Sequence, residues 1–181
     1  NNNRRFAMKI NLLKTAGIVA GCVRYFFYLL IAGYIFFSLA GFRGDSFVIG
    51  YWEYTFNKPI DQIGIWLILL TTGLILVVLV ALSHIAHLIQ KLCKLLLEED
   101  YFASASLELY QKLFISLLVL TAGQFCLTSL IALTNAAGPN NFLNLRWSDF
   151  ILNALFIFLT YFVWTLVQKG QQLETENSEF I

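Results

Sequence analysis

Two histidines, one arginine inside an apolar run and three cysteines are the residues of this chain with most chemistry to offer. His84 and His87 lie three positions apart, a spacing that puts both on roughly one face of a helix and within reach of a metal. A haem clamped between helices would want one axial histidine from each of two helices, so the second ligand would have to come from another copy of the chain. Packing or hydrogen bonding at a helix end is the simpler use of the pair, and no cofactor and no metal is expected. Cys22, Cys93 and Cys126 show no C-x-x-C spacing and are expected as free thiols. No G-x-S-x-G, H-E-x-x-H, P-loop or glycine-rich nucleotide fingerprint occurs, and no catalytic constellation is read from the chain.

The elements that must position these residues are long and apolar. Residues 15–42, 63–89, 113–134 and 150–167 each come near the roughly 20 residues that a helix rising about 1.5 Å per residue needs to cross about 30 Å of hydrocarbon. None of the four contains an acidic residue. With 59% hydrophobic and 13% charged residues, a soluble domain of 181 residues could not hide so much apolar surface. The expected fold is all-α, an integral membrane four-helix bundle forming one domain. An outer loop at 43–62, an inner loop at 90–112 and a tail at 168–181 connect and end it.

Basic residues set the orientation, because Lys and Arg are retained on the cytoplasmic side of short loops. Arg4, Arg5, Lys9, Lys14, Lys91, Lys94, Lys112 and Lys169 fall on one side, against Arg43, Lys58 and Arg146 on the other. Both termini and the middle loop are therefore expected in the cytoplasm. A net charge of +1 offers no patch for nucleic acid. The partners expected instead are the lipid bilayer and either another protein or a second copy of the chain. The first apolar run also admits a signal-peptide reading, with residues 25–37 as the apolar core and Ser38, Leu39 and Ala40 as the cleavage site.

Arg24 is the one formal charge inside a span. If the helix starts near Thr15, the guanidinium lies deep and needs a partner. If the span is 25–42, Arg24 sits at the cytoplasmic headgroups and residues 6–23 form an interfacial helix; this second placement, or a snorkelling compromise, is the preferred one. Gly17 and Gly21 share a helical face with Arg24 and form a G-x-x-x-G pair that lets another helix approach closely, whether within the chain or across a homodimer seam.

The outer loop carries Phe47, Tyr51, Trp52, Tyr54 and Phe56 in a short space. Amphipathic rings favour the membrane interface, so the loop is expected to fold back on the headgroups, with Trp52 and Tyr54 as the alternative docking surface for an outside partner. Pro59 and Asp61 read as the turn into the second span, and Trp66, Trp147 and Trp164 as anchors near span ends. Thr71, Thr72, Gln124, Thr128, Ser129, Asn153 and Thr160 are expected to bond between helices or to carbonyls one turn back. No carboxylate lies at mid-depth and neither proline interrupts a span, which disfavours transport by a monomer.

In the middle segment, Leu92, Leu95, Leu96 and Leu107 suggest a second helix that continues inward, breaks around residues 98–103 and restarts after Ser104 or Ser106. Asp100, Tyr101, Phe102 and Ser104 form an acidic-x-Phe turn followed by a polar helix start, and Gly170, Gln171, Gln172, Leu173, Glu174, Thr175, Glu176 and Asn177 follow the last span. In these motifs, its length and its topology the chain resembles small bacterial four-span membrane proteins grouped as domain of unknown function "twenty-nine seventy-five". Glu99 stands where those proteins usually have glycine. The resemblance implies a bacterial inner-membrane location and carries over no activity, substrate or catalytic residue; some members are encoded beside small helix-turn-helix regulators, which implies a regulatory setting. Phe102 and Leu173 are expected to bury in a cytoplasmic cap, with Glu98, Glu99, Asp100, Glu174 and Glu176 meeting Arg4, Arg5, Lys91 and Lys94. The functional expectation is a non-enzymatic interaction or regulatory subunit, with a homo-oligomeric pore or small-molecule transporter as the alternative and a histidine-based redox subunit as the third class.

Overall fold

A computed structural model describes residues 2–98, 104–134 and 147–179, and these are helical almost throughout. Helix α1 spans Asn2–Phe42, α2 Ser46–Phe56, α3 Ile65–Leu97, α4 Ser104–Leu133 and α5 Trp147–Glu179, with a single 3-10 turn at Ile60–Gln62 before α3. Four of them are long and apolar enough to cross a membrane. No proline interrupts any of the four, so their backbone ladders run unbroken.

The four long helices pack in chain order, α1 on α3, α3 on α4 and α4 on α5, and among the described residues α5 has no comparable contact with α1. Among the described residues the four helices of the expected bundle thus lie side by side as an open layer. The burial pattern explains it. On α1 the shielded positions include Ile10, Leu13, Gly17, Ala20, Arg24, Phe27, Ile31 and Tyr34, alternating by three and four residues. On α5 the shielded Phe150, Asn153, Ile157, Thr160, Trp164, Val167 and Gln171 repeat the same alternation. A stripe of that width serves one neighbour, as in a two-helix seam. The remaining faces of both helices are bare and apolar, with Tyr25, Phe26, Leu29 and Phe36 exposed on α1 and Ile151, Phe158 and Phe162 on α5.

The aromatic outer segment, expected as a loop, forms a capped helix that plugs the layer. Asp45 caps α2, its Oδ1 accepting from the Phe47 and Val48 amides at 2.9 and 3.3 Å, while Gly44 and Asn57 take the left-handed backbone on either side. Val48, Trp52 and Phe56 then bury against Ile63 and against Leu127 and Ile131 of α4, the main apolar core of the molecule. At Gly41 an added Cβ would stand 2.7 Å from Val48 Cγ1, so glycine is what lets α2 fold onto the end of α1. Burial raises the Tyr51 phenol above its ordinary pKa, and its bond to Thr55 pulls the other way. The Pro59 turn is held by Glu53, whose carboxylate accepts from the Ile60 amide at 2.9 Å.

Side-chain contacts place the helices at common levels. Phe114 of α4 meets Tyr161 and Trp164 of α5, and Phe125 meets Phe150. His84 of α3 lines a groove with Ile115 and Ser116 of α4. His87 bonds Arg24 of α1. Arg24, His87, Phe114 and Trp164 thus share one level, and from it Phe42 and Ile65 lie about 27 and 33 Å away along their helices, the thickness of a hydrocarbon core. Lys14, Lys91, Lys94, Lys112 and Lys169 all lie beyond that level, at the end opposite α2.

Candidate functional site

The Gly17–Gly21–Arg24 face identified from spacing is the seam between α1 and α3. A Cβ added to Gly17 would stand 3.4 Å from Cys93 Cβ, and one added to Gly21 would stand 2.8 Å from Gln90 Nε2. Arg24 Nη1 then donates to His87 Nδ1 at 2.7 Å. Partners 93, 90 and 87 descend as 17, 21 and 24 ascend, so the two helices run antiparallel with the glycines bringing the backbones together. Of the two uses open to the glycine pair, the geometry realises packing within the chain.

Arg24 sits in the seam without breaking α1, so the separate interfacial helix expected over residues 6–23 is not formed. The helix continues straight because leucine, isoleucine, alanine and glycine carry the seam past the arginine, and the charge is met from α3 instead. To accept from the guanidinium, the His87 ring must be neutral with its proton on Nε2. The guanidinium carbon also lies 4.9 Å from the Tyr25 ring centre and 5.9 Å from that of Tyr28, which adds cation–π attraction. The Arg24 Nε is shielded and has no protein partner among the described residues.

The two histidines part company. Because α3 lies between α1 and α4, the 60° between positions i and i+3 is enough to aim His87 at α1 and leave His84 exposed in the groove shared with α4. Among the described residues no group of three histidine, cysteine, aspartate or glutamate side chains comes together in the manner of a metal cage.

One helical turn beyond Arg24 and His87, the same seam opens into a groove of about 420 Å³. Leu13, Gly17, Gln90, Cys93 and Leu97 line it with the exposed Ile18 at its lip, and Lys14, Lys91 and Lys94 complete the lining. Among the described residues no carboxylate lines it. The one ion pair among the described residues is elsewhere, Lys112 to Glu108 at 2.6 Å. A concave apolar surface flanked by three lysines, none of them in an ion pair among the described residues, was not singled out from sequence. The separate signals were present, since Lys14 lies one turn before the seam glycine and Lys91 and Lys94 lie one turn apart, but their convergence depends on the α1–α3 register.

Trp52 is buried in the α2 core and is unavailable for docking, whereas Tyr54 on the opposite face of α2 is exposed. Helix periodicity separates them: residues 48, 52, 55 and 56 face inward, and 54 cannot. Leu173 is 60% exposed, so the burial expected for it in a cap is not found; it lies off the α5 stripe, between the shielded Gln171 and the helix end. Phe102, with Glu99, Asp100 and Tyr101, lies outside the described residues. Helix α3 ends at Leu97 with Glu98 as its C-cap, where the break was expected to begin; the rest of that break, residues 99–103, lies outside the described residues. Thr71 and Ser116 bond to carbonyls one turn back, and Asn153 donates to Gln124 across the α4–α5 seam, the two uses expected for polar groups in these spans.

No family model, no curated protein and no solved structure matches this chain.

Proposed function

We propose that this chain is a multi-pass protein of the bacterial inner membrane, with both termini cytoplasmic, and that it works as a non-enzymatic interaction or regulatory subunit. The observation that carries the reading is the shape of the two edge helices. Each spends one stripe on its long neighbour, and each runs past the described end of that neighbour on the lysine-bearing side. Leu13 lies opposite Leu97, the last residue of α3, so residues 2–12 of α1 extend about 16 Å further. The α4–α5 register likewise carries residues 173–179 about 10 Å past Ser104. Two helical arms on the same side, one of them bearing the exposed Leu173 in an otherwise polar run, suit the capture of another protein. The family resemblance, with its neighbouring regulators, supports the same class.

The test is purification from the native membrane in a mild detergent, with the oligomeric mass measured and copurifying proteins identified. A stoichiometric second protein is the expected result. A homo-oligomer free of other proteins would overturn it in favour of a pore or transporter, to be followed by flux measurements.

A further inference from the structure

The groove at the inner end of the α1–α3 seam has a composition that fits one kind of molecule. Apart from Gln90 and the lysines its lining is apolar, deepened by the missing side chain of Gly17, and Ile18 on its lip is exposed. Its rim holds Lys14, Lys91 and Lys94, none of them in an ion pair among the described residues. Lys91 and Lys94 lie four and seven residues past His87, about 6 and 10 Å beyond the level that ends the hydrocarbon-length stretch. Lys14, ten residues before Arg24, lies about 15 Å beyond it. The phosphate layer is about 5–8 Å thick on each side of the core, so Lys91 stands in it and the long stems of Lys94 and Lys14 reach back toward it.

We propose that this groove is a binding site for an anionic phospholipid of the inner leaflet, with its phosphate on the three ammonium groups and the upper part of an acyl chain along Ile18 and the space left by Gly17, on the side of the groove nearer the apolar zone. The proposal rests on the chain crossing a bilayer. A free phosphate would use the lysines and leave the apolar lining wet, and a neutral lipid would use the lining and leave the three lysines unused. Only an amphiphile with a negative head satisfies both. A basic pocket between helices at the cytoplasmic face is where such headgroups are held, and the long lysine stems can lie along the groove wall while their charges reach the phosphate plane.

Native mass spectrometry of the full chain, exchanged from detergent into an equimolar mixture of phosphatidylglycerol and phosphatidylcholine, tests this directly. Wild-type protein is expected to retain phosphatidylglycerol with a preference of about tenfold, since each lysine near the surface adds to the attraction. The variant Lys14→Gln/Lys91→Gln/Lys94→Gln should lose that preference, while Lys58→Gln/Lys169→Gln should keep it. Ile18→Trp fills the groove from an exposed position without changing charge and should also lose retention, which separates a groove from a charged surface. Helical circular dichroism and gel-filtration profiles unchanged from wild type establish that each variant is folded. Equal retention of both lipids by wild type, a preference that survives the triple lysine change, or one that survives Ile18→Trp would each overturn the site. Recovery of the chain in the soluble fraction without detergent would instead overturn the membrane-spanning reading on which it rests.

Discussion

Arg24 and His87 hold each other at the edge of the apolar stretch, and neither is well placed alone. The guanidinium has one shielded nitrogen already without a protein partner, and losing the ring would orphan a second. His87→Ala is therefore expected to destabilise the protein by about 1–3 kcal/mol, read as a lower thermal midpoint in detergent. Arg24→Leu combined with His87→Leu should cost less than His87→Ala, because replacing both partners with apolar groups leaves nothing unsatisfied. A double variant less stable than the single one would show that the pair contributes more than mutual neutralisation of unmet hydrogen bonds. The sequence placed Arg24 correctly on the glycine face but could not name its partner. The choice of His87 over His84 depends on which side of α3 faces α1, and nothing in a three-residue spacing decides that.

At the scale of elements, the seam between α1 and α3 makes a covalent prediction. The separation of an added Gly17 Cβ from Cys93 Cβ is close to the ~3.5–4.5 Å of a disulfide. Gly17→Cys is thus expected to form an intramolecular disulfide with the native Cys93 under mild oxidation, detected as loss of two thiols by mass-tagging with the chain still migrating as a monomer. Cys22 and Cys126, both exposed on other faces, should remain free. A disulfide-linked dimer would place the glycine face at a homodimer seam instead. Helix α2 makes a second prediction. Trp52 is 4% exposed, and Trp52→Ala should cost about 3–5 kcal/mol, whereas Tyr54→Ala on its outer face should stay within about 0.5 kcal/mol, both measured by thermal unfolding in detergent. The sequence showed the density of aromatic residues at 47–56 and missed the helix. Capping by Asp45 and the spacing of Val48, Trp52 and Phe56 were the available signals, but in so short and aromatic a segment interfacial preference and amphipathic helix formation give nearly the same composition.

Across the whole molecule, the four long apolar helices were legible because length and hydropathy are properties of each segment alone. Their arrangement was not. Whether four such helices close into a bundle or lie side by side depends on how many faces each helix commits to protein, and apolar residues on every face conceal that number. The narrow stripes on α1 and α5 became visible only once neighbours were in place. An even number of crossings puts both ends of the chain on one side, so reporter fusions after residue 181 and ahead of residue 1 are expected to fluoresce as cytoplasmic proteins do. A reporter inserted at Gly44 should respond as an exported one. Opposite responses from the two ends would mean that one of the four helices does not cross.

Helix α1 is a single rod of 41 residues, about 60 Å from end to end, with no proline along it. At one end it extends past the last residue of α3, and at the other Gly41 is pressed against Val48 of the α2 plug. A continuous helix has no hinge at which to absorb a tilt or a small axial shift, so displacement of its extended end must reappear at the Gly41–Val48 contact. The protein therefore contains a lever from one side of its apolar zone to the other, whose far end is seated where no side chain fits between Gly41 and Val48.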